Sequence, residues 1–169
     1  KFLVIFIGMY IGQCNTSTFT DMDEDKLLNQ WWLDRDKKLL IMPVRLYNWK
    51  GQEIFIEAIN LVNRDLGYLP FSSVILGSDQ GRDVYKKKLV RLVEQHRLTN
   101  NLKFINNCKD MAIAYKISDI VVSASTEPEA FGRVSVEAQS INKQIIASNI
   151  GGSKETIIDN NTSFLFESG

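Results

Sequence analysis

The sequence predicts an α/β fold, a doubly wound parallel sheet of about six strands, and three observations predict it. From Leu39 onward, short apolar runs alternate with longer amphipathic stretches. The apolar runs are continuous, without polar alternation, as strands buried on both faces require. The connections are short, so successive strands must be joined by right-handed βαβ crossovers. Such a Rossmann-like sheet binds its ligands beyond the carboxyl ends of its strands.

Each element has its own signal. Leu39 to Val44 is the first strand of the alternation. Lys50 to Leu66 reads as an amphipathic helix, because Ile54, Ala58, Leu61, Val62 and Leu66 recur at helical spacing. Val74-Ile75-Leu76 is a strand ending at Gly77, and Asp83 to Leu98 a helix with Tyr85, Leu89, Leu92, Val93 and His96 on one face. The strands Leu102–Ile105, Ile120–Val122, Gln144–Ala147 and Ser163–Phe166 follow, separated by helices over Asp110–Ile117, Phe131–Ser140 and Ser153–Ile158. Ahead of this pattern, Gln13 to Lys26 reads as a polar loop and Leu27 to Trp32 as a short helix. Phe2 to Ile11 is apolar but far shorter than the ~20 residues of a spanning helix. No small-x-small cleavage site follows it, so Leu3 to Ile7 reads as a strand rather than part of a leader. The first residue, Lys1, is not Met, as in a piece of a longer chain.

Length and charge narrow the function. The 169 residues suit one domain, with room for a short arm. Twenty Lys and Arg balance twenty Asp and Glu, which gives no argument for a polyanion partner such as nucleic acid. Two cysteines, Cys14 and Cys108, make neither a disulfide framework nor a zinc site, and suit a reducing compartment.

Three loops carry candidate chemistry. In Arg45-Leu46-Tyr47-Asn48-Trp49-Lys50-Gly51, two cations leave a strand end where a helix begins. Cations beside a helix N-terminus can hold a diphosphate, although a surface Arg and Lys in a βα loop are also common. In Glu127-Pro128-Glu129-Ala130-Phe131-Gly132-Arg133-Val134-Ser135-Val136-Glu137, the amides of Phe131 to Val134 would be unpaired first-turn donors. Were Glu129 and Glu137 on one helix, they would lie roughly 12 Å apart, about the length of a sugar-diphosphate-ribose unit. The plainer alternative is a helix start with ordinary acidic residues favoured by the dipole. In Gly151-Gly152-Ser153-Lys154-Glu155, two glycines allow a tight turn and a close backbone approach, which either a ligand or simple packing would require.

Other motifs are read as bland. Asp21-Met22-Asp23 and Asp34-Arg35-Asp36 spell D-x-D, a metal-binding pattern in some transferases, but fall in polar connecting segments. His96 reads as a packing residue at a helix end, and Lys86-Lys87-Lys88 as a solvated face. Trp31 and Trp32 read as core or hinge packing, and Trp49 as a residue able to stack on a sugar.

The order R-x4-K-G, then Gly77 after a strand, then E-x-E-A-F-G-x4-E-A, then G-G-x-x-E closely resembles one domain of a known family. That domain is the carboxyl-terminal, nucleotide-sugar-binding half of retaining GT-B glycosyltransferases of family 4 (glycosyl transferases group 1). The resemblance runs from about Leu39 to Gly169. It implies a donor-binding domain over 38–169, led by a hinge-like segment over 1–37 containing a short strand and helix. Phe2 to Tyr10 would match the family's interdomain segment, and the acceptor-binding amino-terminal domain is absent from this chain.

The resemblance also implies roles. Arg45 and Lys50 would bind the donor diphosphate and stabilise it as a leaving group. Glu129 would contact sugar hydroxyls, so that Arg45, Lys50 and Glu129 form the catalytic set. Glu137 would grip the ribose, the backbone of Phe131, Gly132, Arg133 and Val134 would touch phosphate or sugar, and Asn107 and Cys108 would lie near the base. The implied reaction retains anomeric configuration, uses a nucleoside-diphosphate sugar as co-substrate, and needs no metal or other cofactor. The implied acceptor is an envelope polysaccharide, lipopolysaccharide or other glycolipid, met in the cytoplasm at the inner face of a membrane. The rival is a fragment that folds and at most binds nucleotide. Four positions depart from the family: Val44 and Asn106 stand where Gly is usual, Phe6 replaces Pro and Tyr10 replaces Asp. The Val44 side chain is expected to crowd the donor.

Overall fold

The computed structural model describes residues 16, 18–157 and 163–168. The elements are α1 (Asp21–Gln30), β1 (Lys38–Met42), α2 (Gln52–Leu66), β2 (Phe71–Leu76), α3 (Asp83–Gln95), β3 (Leu102–Ile105) and α4 (Met111–Ile117). They continue with β4 (Ile120–Ser123), α5 (Arg133–Ser140), β5 (Gln144–Ser148), α6 (Ser153–Thr156) and β6 (Phe164–Phe166). A short 3-10 turn, Asn48–Lys50, precedes α2.

The six strands form one sheet in the order β3-β2-β1-β4-β5-β6. Every pair is parallel. Strand order reverses between β1 and β4, which are joined through the register pairs Leu40↔Ile120 and Ile41↔Val121. The doubly wound expectation is therefore met.

Alternate side chains of one strand enter different cores, as the period of two dictates. Leu39 and Ile41 of β1 join Val74, Val121, Ile145, Ala114, Tyr115 and Ala138 on the α4–α5 face. Met42 joins Ile75, Phe55, Ile56, Ile59, Leu89 and Val93 on the α2–α3 face. Each such fully buried Val, Leu, Ile, Phe or Met side chain contributes about 1.5–3 kcal/mol over leaving it in water.

Several boundaries differ from expectation, each for a physical reason. The polar stretch read as a loop contains most of α1. A capping box starts this helix: Thr20 accepts from the Asp23 amide, and the Asp23 carboxylate accepts from the Thr20 amide at 2.9 Å. Trp31, which caps α1, is buried in the α4–α5 core, while Trp32 is 79% exposed at φ 53°. The packing expectation thus holds for Trp31 and fails for Trp32. β1 stops at Met42 because Pro43 has no N–H to give the ladder. The helix expected from Lys50 begins at Gln52, and the one expected from Phe131 begins at Arg133; a left-handed glycine, Gly51 or Gly132, stands before each. The strand expected near Leu3 to Ile7 lies outside the described residues.

Candidate functional site

The two charged loops meet at the reversal between β1 and β4. The β1–α2 loop leaves Met42 and carries Arg45 and Lys50; the β4–α5 loop leaves Ser123 and carries Glu129. The Lys50 ammonium lies 2.6 Å from Glu129 Oε1 and 4.0 Å from the centre of the Trp49 ring. Both partners of the ion pair are largely shielded from solvent. The Ser125 hydroxyl donates to the same Glu129 oxygen.

Backbone contacts fuse the loops further. The Thr126 amide donates to the Trp49 carbonyl at 2.8 Å. Gly51 sits at φ 76°, and a Cβ there would fall 1.8 Å from the Ala124 carbonyl oxygen, so only glycine fits. On the other side of Glu129, the Gly152 amide donates to the Glu129 carbonyl at 2.8 Å. Gly151 has φ 56°, and a Cβ there would lie 2.5 Å from that same carbonyl oxygen. The glycine pair therefore serves the packing of its own loop against the backbone around Glu129.

Arg45 is exposed, its guanidinium 5.9 Å from the centre of the Tyr47 ring. Its carbonyl accepts from Gln52 Nε2 at 2.9 Å. Gln52 Oε1 in turn accepts from the Tyr85 hydroxyl at 3.1 Å. Burial pushes the Tyr85 phenol well up from its ordinary value, so it remains a donor. The Arg82 guanidinium lies 3.6 Å over the Tyr47 ring and also donates to its hydroxyl.

Glu129 precedes α5 instead of lying on it, so the helical spacing to Glu137 does not apply. In α5 the Ser135 amide already donates to the Gly132 carbonyl at 3.0 Å. The Arg133 and Val134 amides precede that bond and are the orphan donors of the first turn. Glu137, one turn on, is clamped at both oxygens: the Tyr115 hydroxyl donates at 2.6 Å and Arg133 Nε at 2.8 Å. Asn107 and Cys108 line a separate cleft of about 220 Å³ with Phe19, Lys26 and Trp31. The Cys108 thiol donates to the Asp110 carbonyl, and burial pushes its pKa up.

The residues read as bland also find their places. Lys86 is half-buried and bridges Asp79 at 3.1 Å and Asn106 at 2.9 Å, tying two loops together instead of facing solvent freely. The Lys86 hydrogen bond holds the Asp79 carboxyl below its ordinary pKa. His96 is not merely a packing residue, because its Nε2 meets Glu57 of α2 at 2.8 Å. Asp23 of the first D-x-D is spent on the α1 cap, and Asp34 of the second accepts from the Asp36 amide. Among the described residues no group of three or more His, Cys, Asp or Glu is placed to hold a metal ion, and no helix is long and apolar enough to cross a membrane. Val44 is buried in the α2–α3 core, which corrects the expectation that its side chain crowds the cleft.

Sequence reading missed Gln52, Tyr85, Tyr115 and Ser125. Ser125 lies just ahead of the Glu127–Glu137 stretch, beyond the carboxyl end of a strand, where ligands of such sheets bind. The other three give no sequence signal, because their roles depend on which helices the sheet order brings together.

The cation-bearing loop after β1, the carboxylate-bearing loop after β4 and the N-terminus of α5 thus lie where strand order reverses in an all-parallel α/β sheet, the place where such sheets bind their ligands. The chain belongs to the glycosyl transferases group 1 family, whose model matches residues 23–169. It is 25% identical over 152 residues to a D-inositol 3-phosphate glycosyltransferase of Pseudarthrobacter chlorophenolicus, covering 89% of this chain and 36% of that one. It thus spans about a third of the length of that curated relative. A glycosyltransferase from Rickettsia africae superposes with a TM-score of 0.91 at 30% identity, covering 99% of this chain and 43% of that one. Anabaena HepE, solved in complex with UDP and glucose, superposes with a TM-score of 0.85 at 29% identity, with 99% and 43% covered.

Proposed function

We propose that this chain is the donor-binding, carboxyl-terminal half of a retaining family 4 glycosyltransferase. The whole enzyme would transfer a hexose from a nucleoside-diphosphate sugar to an envelope polysaccharide or glycolipid, without a metal. The observation that carries the reading is the Lys50–Glu129 ion pair at the sheet's reversal, formed by the loop that also carries Arg45. The complex of HepE with UDP and glucose supports it.

In this reading the donor lies across the crevice. Arg45 and Lys50 meet the diphosphate, whose charge grows as the sugar–oxygen bond breaks. Fixed cations aimed at growing charge stabilise the transition state more than the ground state. Glu129 keeps the Lys50 ammonium in the crevice, and its second oxygen is available to a sugar hydroxyl. The Arg133 and Val134 amides meet phosphate or sugar oxygens, Glu137 takes the ribose hydroxyls, and the backbone near Asn107 and Cys108 lies toward the base. The acceptor attacks from the face the diphosphate leaves, so no protein nucleophile is assigned. The acceptor is held by an amino-terminal domain joined through the segment 1–37, at the cytoplasmic face of a membrane.

Calorimetric titration with UDP tests this. Lys50→Ala removes a charge-assisted contact of about 1.5–3 kcal/mol, so UDP affinity should fall about tenfold to hundredfold. EDTA should leave UDP binding unchanged. Equal affinity in wild type and Lys50→Ala would overturn the diphosphate assignment.

A further inference from the structure

We propose that Gln52 is a positioning residue for Arg45, steadied by Tyr85 of α3; this rests on the donor reading above. Gln52 opens α2 and is 0% exposed. A buried side-chain amide is costly unless both its ends are bonded. Here Nε2 donates to the Arg45 carbonyl, and Oε1 accepts from Tyr85.

The Arg45 carbonyl belongs to the Arg45–Leu46 peptide plane. The N–H of that plane, on Leu46, donates to the Ser78 carbonyl at 3.1 Å. The plane is thus pinned at both edges, by Gln52 on one side and the β2–α3 loop on the other. The Arg45 side chain itself is exposed, with a ring contact to Tyr47 at 5.9 Å. Its direction is therefore set chiefly by its backbone, which is held at this peptide plane. β1 ended at Met42, so the sheet ladder does not hold that backbone. An apolar residue at position 52 would fill the same space and leave the carbonyl unheld. The cost would appear in aim, because small displacements of a charged group lose much of its effect on a bound diphosphate.

A double-mutant cycle in the whole protein, read by UDP calorimetry, tests the assignment. Wild type, Arg45→Ala, Gln52→Leu and the double variant are compared, with a parallel cycle using Tyr85→Phe. Arg45→Ala and Gln52→Leu should each weaken UDP binding, the latter about tenfold. The double variant should bind no more weakly than Arg45→Ala alone, because Gln52 acts through Arg45. Tyr85→Phe removes one hydroxyl, should give a smaller loss with the same coupling, and carries the cycle if Gln52→Leu does not fold. A purely structural role would give losses that add to that of Arg45→Ala, and this would overturn the proposal. So would unchanged UDP affinity in the position 52 and 85 variants while Arg45→Ala weakens it. Unchanged affinity in Arg45→Ala would instead remove the donor reading, and the positioning role with it.

Discussion

Val44 shows how far one residue's meaning depends on its direction. Beside a cationic loop, a β-branched side chain reads as an obstacle to the donor. In the fold its side chain enters the core with Met42, Leu46 and Phe55. The backbone at Val44 is what crowds its neighbour: a Cβ on Gly77 would lie 2.2 Å from the Val44 carbonyl oxygen. Val44→Gly should therefore destabilise the domain by about 2–4 kcal/mol, through lost burial and added unfolded-state freedom, and leave donor room unchanged. Urea unfolding of the variant measures this; an unaltered midpoint would return the side chain to the cleft.

Among the elements, α1 is the one the sequence showed only in part: Leu27 to Trp32 reads as a short helix, but Asp21 to Lys26 reads as loop. Its residues, Asp-Met-Asp-Glu-Asp-Lys-Leu-Leu-Asn-Gln, show little apolar periodicity, and none of them is buried. Periodicity finds helices that bury a stripe; α1 offers only Leu27 and Leu28, partly buried against the α4–α5 core, and is held further by its cap, by Trp31 just beyond its end, and by the Glu24–Lys116 ion pair at 2.9 Å. Thr20→Ala should lower stability by about 1 kcal/mol, visible as a shift in the urea midpoint without a change in slope. The later helices and all the described strands were legible, because buried parallel strands have no polar face to confuse the pattern. The charged members of the site were legible as types in order at strand ends. Their contacts were not: Lys50 meets Glu129, and Glu137 meets Tyr115, only after the sheet has placed β4 beside β1.

For the molecule as a whole, the joint between β1 and β4 is the place to probe. At its amino end Asp119 accepts from the Lys38 ammonium and the Leu39 amide, both at 2.8 Å. Burial works to raise the Asp119 pKa, but these bonds outweigh it and hold the carboxyl below its ordinary value. The clasp is therefore intact above the carboxylate range of the unfolded chain, and fades as pH falls through the folded pKa. Asp119→Asn should be less stable than wild type near neutrality and indistinguishable from it once wild-type Asp119 is protonated. Thermal unfolding followed from pH 7 down to the acid limb checks the sign. At the carboxyl end of the same joint, under the proposed donor reading, a nucleoside diphosphate with its phosphates on Arg45 and Lys50 and its ribose on Glu137 would act as a rivet. The backbone closes that joint with the register pairs Leu40↔Ile120 and Ile41↔Val121, whereas β2 and β3 share four. UDP at a hundredfold excess over its Kd should raise the opening free energy by about 2.7 kcal/mol. Hydrogen exchange should then slow most at the amides of β1 and β4, and least along the β2–β3 margin, making the joint's breathing a gauge of occupancy.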